Sequence, residues 1–560
     1  MALSYSATPM TASFSSPLAE LPAVAEDSAM AQHKINEDID LQSIYRRSDT
    51  VQKLADLIDE EKVVLVLGAP KSGKTTLALL LQSYYASQKK NVIYTNAWED
   101  IDKYRPQIGD LGALEQMLHR RSAIPAKGIA SGAIIIVDDS HTSYPDFFFW
   151  NSIIKPLLSG LFYRQVRFCL FSSYGNPSTG VEQVIGSYHP VTFGSQRRVS
   201  LTIQPKGPPF ALFFTEPEFH SVIDKIIANN HPLSNITLDN DAKDYLFSLT
   251  NGHPGGTKSL VDLISFQCRG SIKHGETIIT KDQILGSMKI EEKEKDVWDY
   301  LERTPVYQSF PKANQLSLEA RAILAHVLET GNRLWYESYL PCEDNEELDR
   351  CYQEGWLYLT EDGFFGNHLY VLPSRLHEKW VESLINQEKK HFPSKFPSLQ
   401  DLVMTILREF SPTLLDMSSR GRKLSSAASY RPVEAQYQDE FYRVFNQVVG
   451  RGVPISSEWS RTGHGRVDFW IKEKQWAIKF LKDHDRVDEY IVRVSQNGKH
   501  YDWVKDDMAK DWIIVNCATS MPHKVYPEPR LIHAVFNPDY KGVRILDNGL
   551  NELGYHVLTN

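Results

Sequence analysis

The segment that constrains this chain most is Val63-Val64-Leu65-Val66-Leu67 followed by Gly68-Ala69-Pro70-Lys71-Ser72-Gly73-Lys74-Thr75. Five apolar residues, three of them valine, read as a strand buried on both faces. The next eight fit G-x-x-x-x-G-K-[ST] in full, and a helical stretch runs from Lys74 to about Ser87. In that order the glycines let the loop curl its N–H groups inward, and the helix points its positive end at the same place. An anion belongs there. The expected nucleotide-binding residues are Gly68, Ala69, Pro70, Lys71, Ser72, Gly73, Lys74, Thr75 and Thr76. Lys74 is positioned for the β- and γ-phosphates, and Thr75 for Mg²⁺. The implied cofactors are ATP and Mg²⁺.

A second part has the right spacing after this loop. Ala133-Ile134-Ile135-Ile136-Val137 is a buried strand ending in Asp138-Asp139. In proteins with such a loop this strand lies beside it, with Asp138 as a Mg²⁺ ligand and Asp139 as the group that polarises the attacking water. A third strand, Phe168–Phe171, ends in Ser172-Ser173, either a sensor of the γ-phosphate or a plain strand-end hydroxyl. Arg197 and Arg198 follow the core by position only and read more simply as solvated arginines. Apolar strands alternating with helices predict a parallel α/β sheet covered on both faces, over residues 41–205.

With 560 residues the chain exceeds one hydrophobic core, so several domains follow. Residues 1–40, rich in Ala, Ser, Thr and Pro, read as a disordered leader. Residues 206–290 read as a helical lid containing the turn Asn251-Gly252-His253-Pro254, with Pro254 expected at the nucleotide. Residues 291–388 show helices followed by a small hairpin, the pattern of a winged helix. Residues 389–432, with Lys389-Lys390 and Arg420–Lys423, read as a linker whose charges either tether or address the protein to a nucleus. The net charge of −9 argues against coating nucleic acid by bulk charge and leaves room for a local basic groove. Five cysteines without a C-x-x-C spacing make a zinc site or a disulfide framework a poor reading and favour a reducing compartment. No apolar run reaches the roughly 20 residues of a membrane span.

The last domain, 433–560, offers a helix (Glu434–Val449) and strands at Arg466–Ile471, Gln475–Phe480 and Trp512–Cys517. An acid on the helix, Glu440, an acid on a strand, Asp468, and a hairpin-paired strand bearing lysines form a restriction-endonuclease-like layout. There, carboxylates bind Mg²⁺ and a lysine orients or deprotonates water for phosphodiester attack. Candidate catalytic residues are Glu440, Asp468 and Lys482, with Asp468 also a metal ligand.

The first half resembles the AAA+ and STAND classes of P-loop ATPases, with Gly252-His253-Pro254 matching the G-x-P turn of their lid. From about residue 41 to 560 the chain resembles the crinkler (CRN) effectors. The resemblance is carried by Tyr437-Gln438-Asp439-Glu440-Phe441-Tyr442-Arg443, Gly465-Arg466-Val467-Asp468-Phe469, Trp476-Ala477-Ile478 and Asn497-Gly498-Lys499-His500-Tyr501. It implies a secreted protein acting in a host cell nucleus, an NTPase coupled to a nuclease-like domain that attacks DNA. This chain departs from the family in two places. Residues 1–45 lack the L-F-L-A-K type translocation motif, and Lys479 stands where the family pattern has a glutamate. A lysine among metal-binding carboxylates repels a divalent ion, so the domain reads either as a weak nuclease or as a degenerate scaffold.

Two functions from different classes fit, beside a third, a housekeeping DNA-transaction ATPase with no secretion. One is an effector enzyme in which an ATP-driven switch controls a DNA-directed domain. The other is a STAND-like signalling protein of the producing cell, whose C-terminal domain binds DNA or protein without cutting. Expected partners are a nucleoside triphosphate, DNA through the C-terminal or winged-helix domain, and a second copy of the chain in a nucleotide-dependent oligomer; no membrane is expected.

Overall fold

The structure, a computed structural model, describes residues 44–559 apart from 97, 99–113, 117, 119–131, 147, 161–165, 175–190, 192, 205, 230–235, 271–273, 275–276, 282, 285–293, 330–333, 336–345, 362–367, 386–389, 413–414, 416–432, 460–466, 485–486 and 495–508. The leader, Lys389, the Arg420–Lys423 cluster, Gly465-Arg466 and Asn497–Tyr501 lie outside the described residues.

Helix α1 (Ser48–Glu61) buries Val51, Leu54 and Ile58, one residue every three or four, and leads into β1 (Val63–Leu67), buried throughout. Helix α2 (Lys74–Ser87) follows the loop, and β2 (Val92–Thr95), β3 (Ile134–Val137), β4 (Arg167–Ser172) and β5 (Arg198–Val199) complete a parallel sheet of order β2-β3-β4-β1-β5. The expected parallel α/β core is present. Within this sheet β3 does not pair with β1, because β4 lies between them and pairs with both. Phe168-Cys169-Leu170-Phe171 is buried at every residue, which suits the central position. Asp138 nevertheless ends its strand at the level where Gly68 N donates to Ser172 O at 3.0 Å, so strand ends and loop share one rim.

The lid contains α3 (Glu216–Asn229), α4 (Asn240–Thr250) and α5 (Pro254–Gln267), with a short parallel pair β6 (Thr237–Leu238) and β7 (Ile278–Ile279). Asp239 caps α4 by accepting from Ala242 N at 2.7 Å. Asn251 ends that helix at φ 56° and Gly252 continues at φ 74°, so the chain reverses within two residues. Helix α6 (Glu294–Leu301), α7 (Leu318–Glu329), α8 (Glu346–Gln353) and α9 (Arg375–Ile385) accompany a three-stranded antiparallel sheet, order β8-β10-β9, of β8 (Leu334–Trp335), β9 (Tyr358–Glu361) and β10 (His368–Val371). This hairpin unit packs on the core. Tyr358 OH accepts from Leu201 N at 3.1 Å, and Gly355 (φ 75°) lies where a Cβ would collide with Pro70.

The C-terminal domain is a seven-stranded mixed sheet in chain order. It comprises β11 (Ser456–Trp459), β12 (Val467–Ile471), β13 (Trp476–Lys482), β14 (Asp511–Ala518), β15 (Leu531–Phe536), β16 (Gly542–Leu546) and β17 (Glu552–Val557). Strands β13, β14 and β15 are parallel and the flanking pairs antiparallel. The linker expected over 389–432 needs correction. Its first part forms α10 (Leu399–Arg408), whose Leu399, Leu402, Val403 and Ile406 are buried in the same core as α11 (Val433–Val448) and the sheet. Helix α12 (Val487–Val494) covers the other face, where Val487 and Tyr490 join Leu481, Ile514 and Leu531.

Candidate functional site

Lys74 Nζ donates to Gly68 O at 2.8 Å and to Ala69 O at 3.1 Å, so the loop folds back on its own ammonium. Burial pushes the Lys74 pKa down to about 8, against the opposing pull of Asp138 and Asp139. Asp138 is buried at the end of β3. Burial raises its pKa, while a hydrogen bond from Thr75, the charge of Lys74 and the N–H of Asp139 at 3.1 Å favour its charged form. Tyr94 OH donates to Asp138 Oδ2 at 3.3 Å. Asp139 is exposed and held at φ 50°, a left-handed conformation rare outside glycine and common in turns that carry function. Lys74, Thr75, Asp138 and Asp139 are thus gathered at one rim.

The residues present fit a nucleoside triphosphate with Mg²⁺. The Ser72 hydroxyl is fully buried in the loop with no partner. A Cβ on Gly68 would collide with Leu212 and Ser72, and Gly73 takes φ 93°. Among the described residues the Lys74 ammonium donates to two loop carbonyls. Pro254, at the first turn of α5, lies against Gly73, where a Cβ would stand 3.1 Å from Pro254 Cγ. Gly255 N donates to Lys71 O at 3.1 Å, a backbone bond joining lid and loop.

Sequence reasoning assigned His253 no role, yet it is the pivot of this contact. Its Nδ1 accepts from Gly256 N at 3.0 Å and caps α5, while its ring packs on Phe213 and His377. Burial depresses its pKa to about 3. The only signal in the sequence was its place before a proline at a helix start. Ser172, a candidate sensor, is engaged elsewhere: its hydroxyl meets Tyr144 OH at 2.7 Å and donates to Tyr174 O at 2.8 Å. Arg197 pairs with Glu61 and donates to Leu158 O, so it ties the core together.

The C-terminal carboxylates are each paired with a cation. Asp468 Oδ1 accepts from Lys479 Nζ at 2.7 Å and Oδ2 from Phe480 N at 2.6 Å. Glu440 accepts from Ser411 N at 2.6 Å and from Arg443 at 2.7 and 2.9 Å. Phe441, beside Glu440, packs on Phe469 and Phe480, so α11 covers the face that carries those rings. Asp468 and Lys479 alternate onto the opposite face, under Tyr490 of α12. The expected partnership of Glu440 with Asp468 is therefore corrected: the sheet separates them. Lys482 pairs with Asp483 at 3.2 Å, and Glu473 accepts from Phe392 N at 2.9 Å. Among the described residues the one group of three metal-ligating side chains drawn together is Glu216, His220 and Asp244 on the lid surface, which includes none of the predicted metal residues.

A family model described as Novel STAND NTPase 3 matches residues 45–108, the span from before α1 through the phosphate loop and β2. The chain contains a STAND-like P-loop NTPase module. Solved structures similar to this one include the RuvB Holliday junction branch migration motor of Thermotoga maritima, with 15% identity over 58% of this chain and 92% of that one and a TM-score of 0.28. A Walker-type ATPase of Pyrococcus abyssi gives 11%, 60%, 95% and 0.31. Drosophila ORC bound to DNA gives 11%, 65%, 99% and 0.29. At such TM-scores the overlap is descriptive only. No curated protein matches the chain.

Proposed function

We propose that the protein is an ATP-driven switch whose C-terminal domain engages DNA without cutting it. The observation that carries the first half is the convergence of Lys74, Thr75 and Asp138 at one rim, with the lid bonded to the loop through Gly255 N and Lys71 O. Bound Mg²⁺ and ATP supply a polarised phosphoanhydride. The chain's own groups do the rest. Lys74 and the loop N–H groups hold the phosphates, Thr75 and Asp138 hold the ion, and Asp139 takes a proton from water. Occupancy of the loop reaches the lid through the Lys71–Gly255 bond and the hairpin unit through Pro70 and Gly355.

The second half rests on Lys479. Its ammonium is paired with Asp468, which leaves that carboxylate weak for Mg²⁺ and argues against cutting. The crinkler resemblance supports action after secretion, in a host nucleus. Action inside the producing cell as a STAND-like switch is the alternative, and locating a tagged copy separates the two. The deciding experiment for the core is titration with ATP and Mg²⁺: wild type binds, and Lys74→Ala, which removes the phosphate-directed cation, does not. Unchanged affinity in that variant would refute the assignment.

A further inference from the structure

We propose that His141 is the side chain that reads the γ-phosphate, distinguishing nucleoside triphosphate from diphosphate; this rests on the nucleotide-switch reading above. Directly after Asp139 the chain makes a tight turn, with Thr142 N and Oγ both donating to Asp139 O at 3.0 and 2.8 Å. That turn sets His141 over the adjoining ends of β3 and β4. Its ring lies 5.4 Å from the ring of Tyr174, which follows β4. The imidazole lies within electrostatic reach of both the Asp139 carboxylate and the Lys74 ammonium, the two charges on either side of a terminal phosphate in this class of site.

Among the described residues His141 Nδ1 is buried and has no hydrogen-bond partner, and the hydroxyl of the preceding Ser140 is in the same condition. Desolvation lowers the His141 pKa, so the ring is neutral and carries one N–H donor and one acceptor. Buried polar atoms are normally paired, so an unpaired nitrogen beside a phosphate loop points to a ligand atom. Of the strand-end hydroxyls, that of Ser172 is spent, bonded to Tyr144 and Tyr174. His141 supplies the group that Ser172 does not.

The test is a pair of titrations, a non-hydrolysable ATP analogue and ADP, each with Mg²⁺, on wild type, His141→Ala and His141→Gln. His141→Ala is expected to lose about 10-fold or more in affinity for the triphosphate, the usual worth of a hydrogen bond to a charged group, with ADP binding unchanged. Gln, which retains an N–H, recovers part of the loss. In ¹⁵N-histidine spectra the Nδ1 resonance should move with the analogue and stay in place with ADP. Equal losses for both nucleotides, or a fall in melting temperature with the affinity ratio intact, overturns the proposal and leaves the nucleotide reading standing. Failure of wild type to bind either nucleotide overturns that reading and this proposal with it.

Discussion

Lys479 on β13 holds Asp468 on β12 through a 2.7 Å ion pair, on the face of the sheet opposite the helix that carries Glu440. This pair is mostly buried, with Asp468 the more enclosed partner. Removing the lysine takes its cation away from a mostly buried carboxylate. Lys479→Ala is expected to cost about 1–3 kcal/mol, read as a lower denaturation midpoint at unchanged slope. Wild type should not nick plasmid with Mg²⁺ or Mn²⁺, and Lys479→Glu should raise metal affinity while weakening metal-free DNA binding. Strong wild-type cleavage that Asp468→Ala abolishes would show that the lysine does not silence the site.

Lys74 makes nucleotide binding proton-linked. Its pKa is lowered to about 8 in the free loop, and a polyphosphate favours the charged ammonium. Near pH 8 binding should therefore take up protons, and affinity should fall as pH rises through that value. Calorimetry in two buffers of different ionisation enthalpy detects the uptake. A binding enthalpy independent of buffer would remove Lys74 from the phosphate contact.

Gly255 should be intolerant of a side chain. A Cβ there would lie 2.9 Å from both the Cβ and the carbonyl oxygen of Lys71, so lid and loop must separate. Gly255→Ala should cost about 1–3 kcal/mol and weaken nucleotide binding. At Gly270 nothing lies within 4 Å of the added atom, so Gly270→Ala should be neutral or slightly stabilising. Equal behaviour of the two variants in thermal melts would contradict the packing described.

His253 and His377 make the lid junction acid-sensitive. Both are fully buried with pKa values depressed by desolvation, His253 to about 3; His253 also disfavours charge on His377, and Lys74 disfavours it on His253. Histidines depressed in the fold contribute stability that is complete above their unfolded pKa near 6.5. That stability is lost as pH falls towards about 3. His253→Asn, which can still cap α5, should flatten the melting temperature against pH over that window. A profile unchanged by this substitution would place the acid sensitivity elsewhere.

The sequence alone determined what is local. A strand and a phosphate loop follow from thirteen consecutive residues, because glycine placement and apolar runs act through neighbours in the chain. The Asp138-Asp139 strand end was legible for the same reason, whereas the misfit of Lys479 was legible only against the crinkler resemblance. Tertiary structure decided what depends on partners distant in sequence. It inserted β4 between β1 and β3, drew α10 out of an apparent linker into the C-terminal core, and added β11 and β15–β17 to a sheet of which β12–β14 alone were visible. It set Glu440 and Asp468 on opposite faces, since helix packing on Phe469 and Phe480 fixes which side each alternating residue takes. It also made His253 a buried cap wedged between the phosphate loop, the lid and the hairpin unit. A histidine's burial and partners are fixed by residues more than 30 positions away, such as Phe213 and His377, which no local pattern encodes.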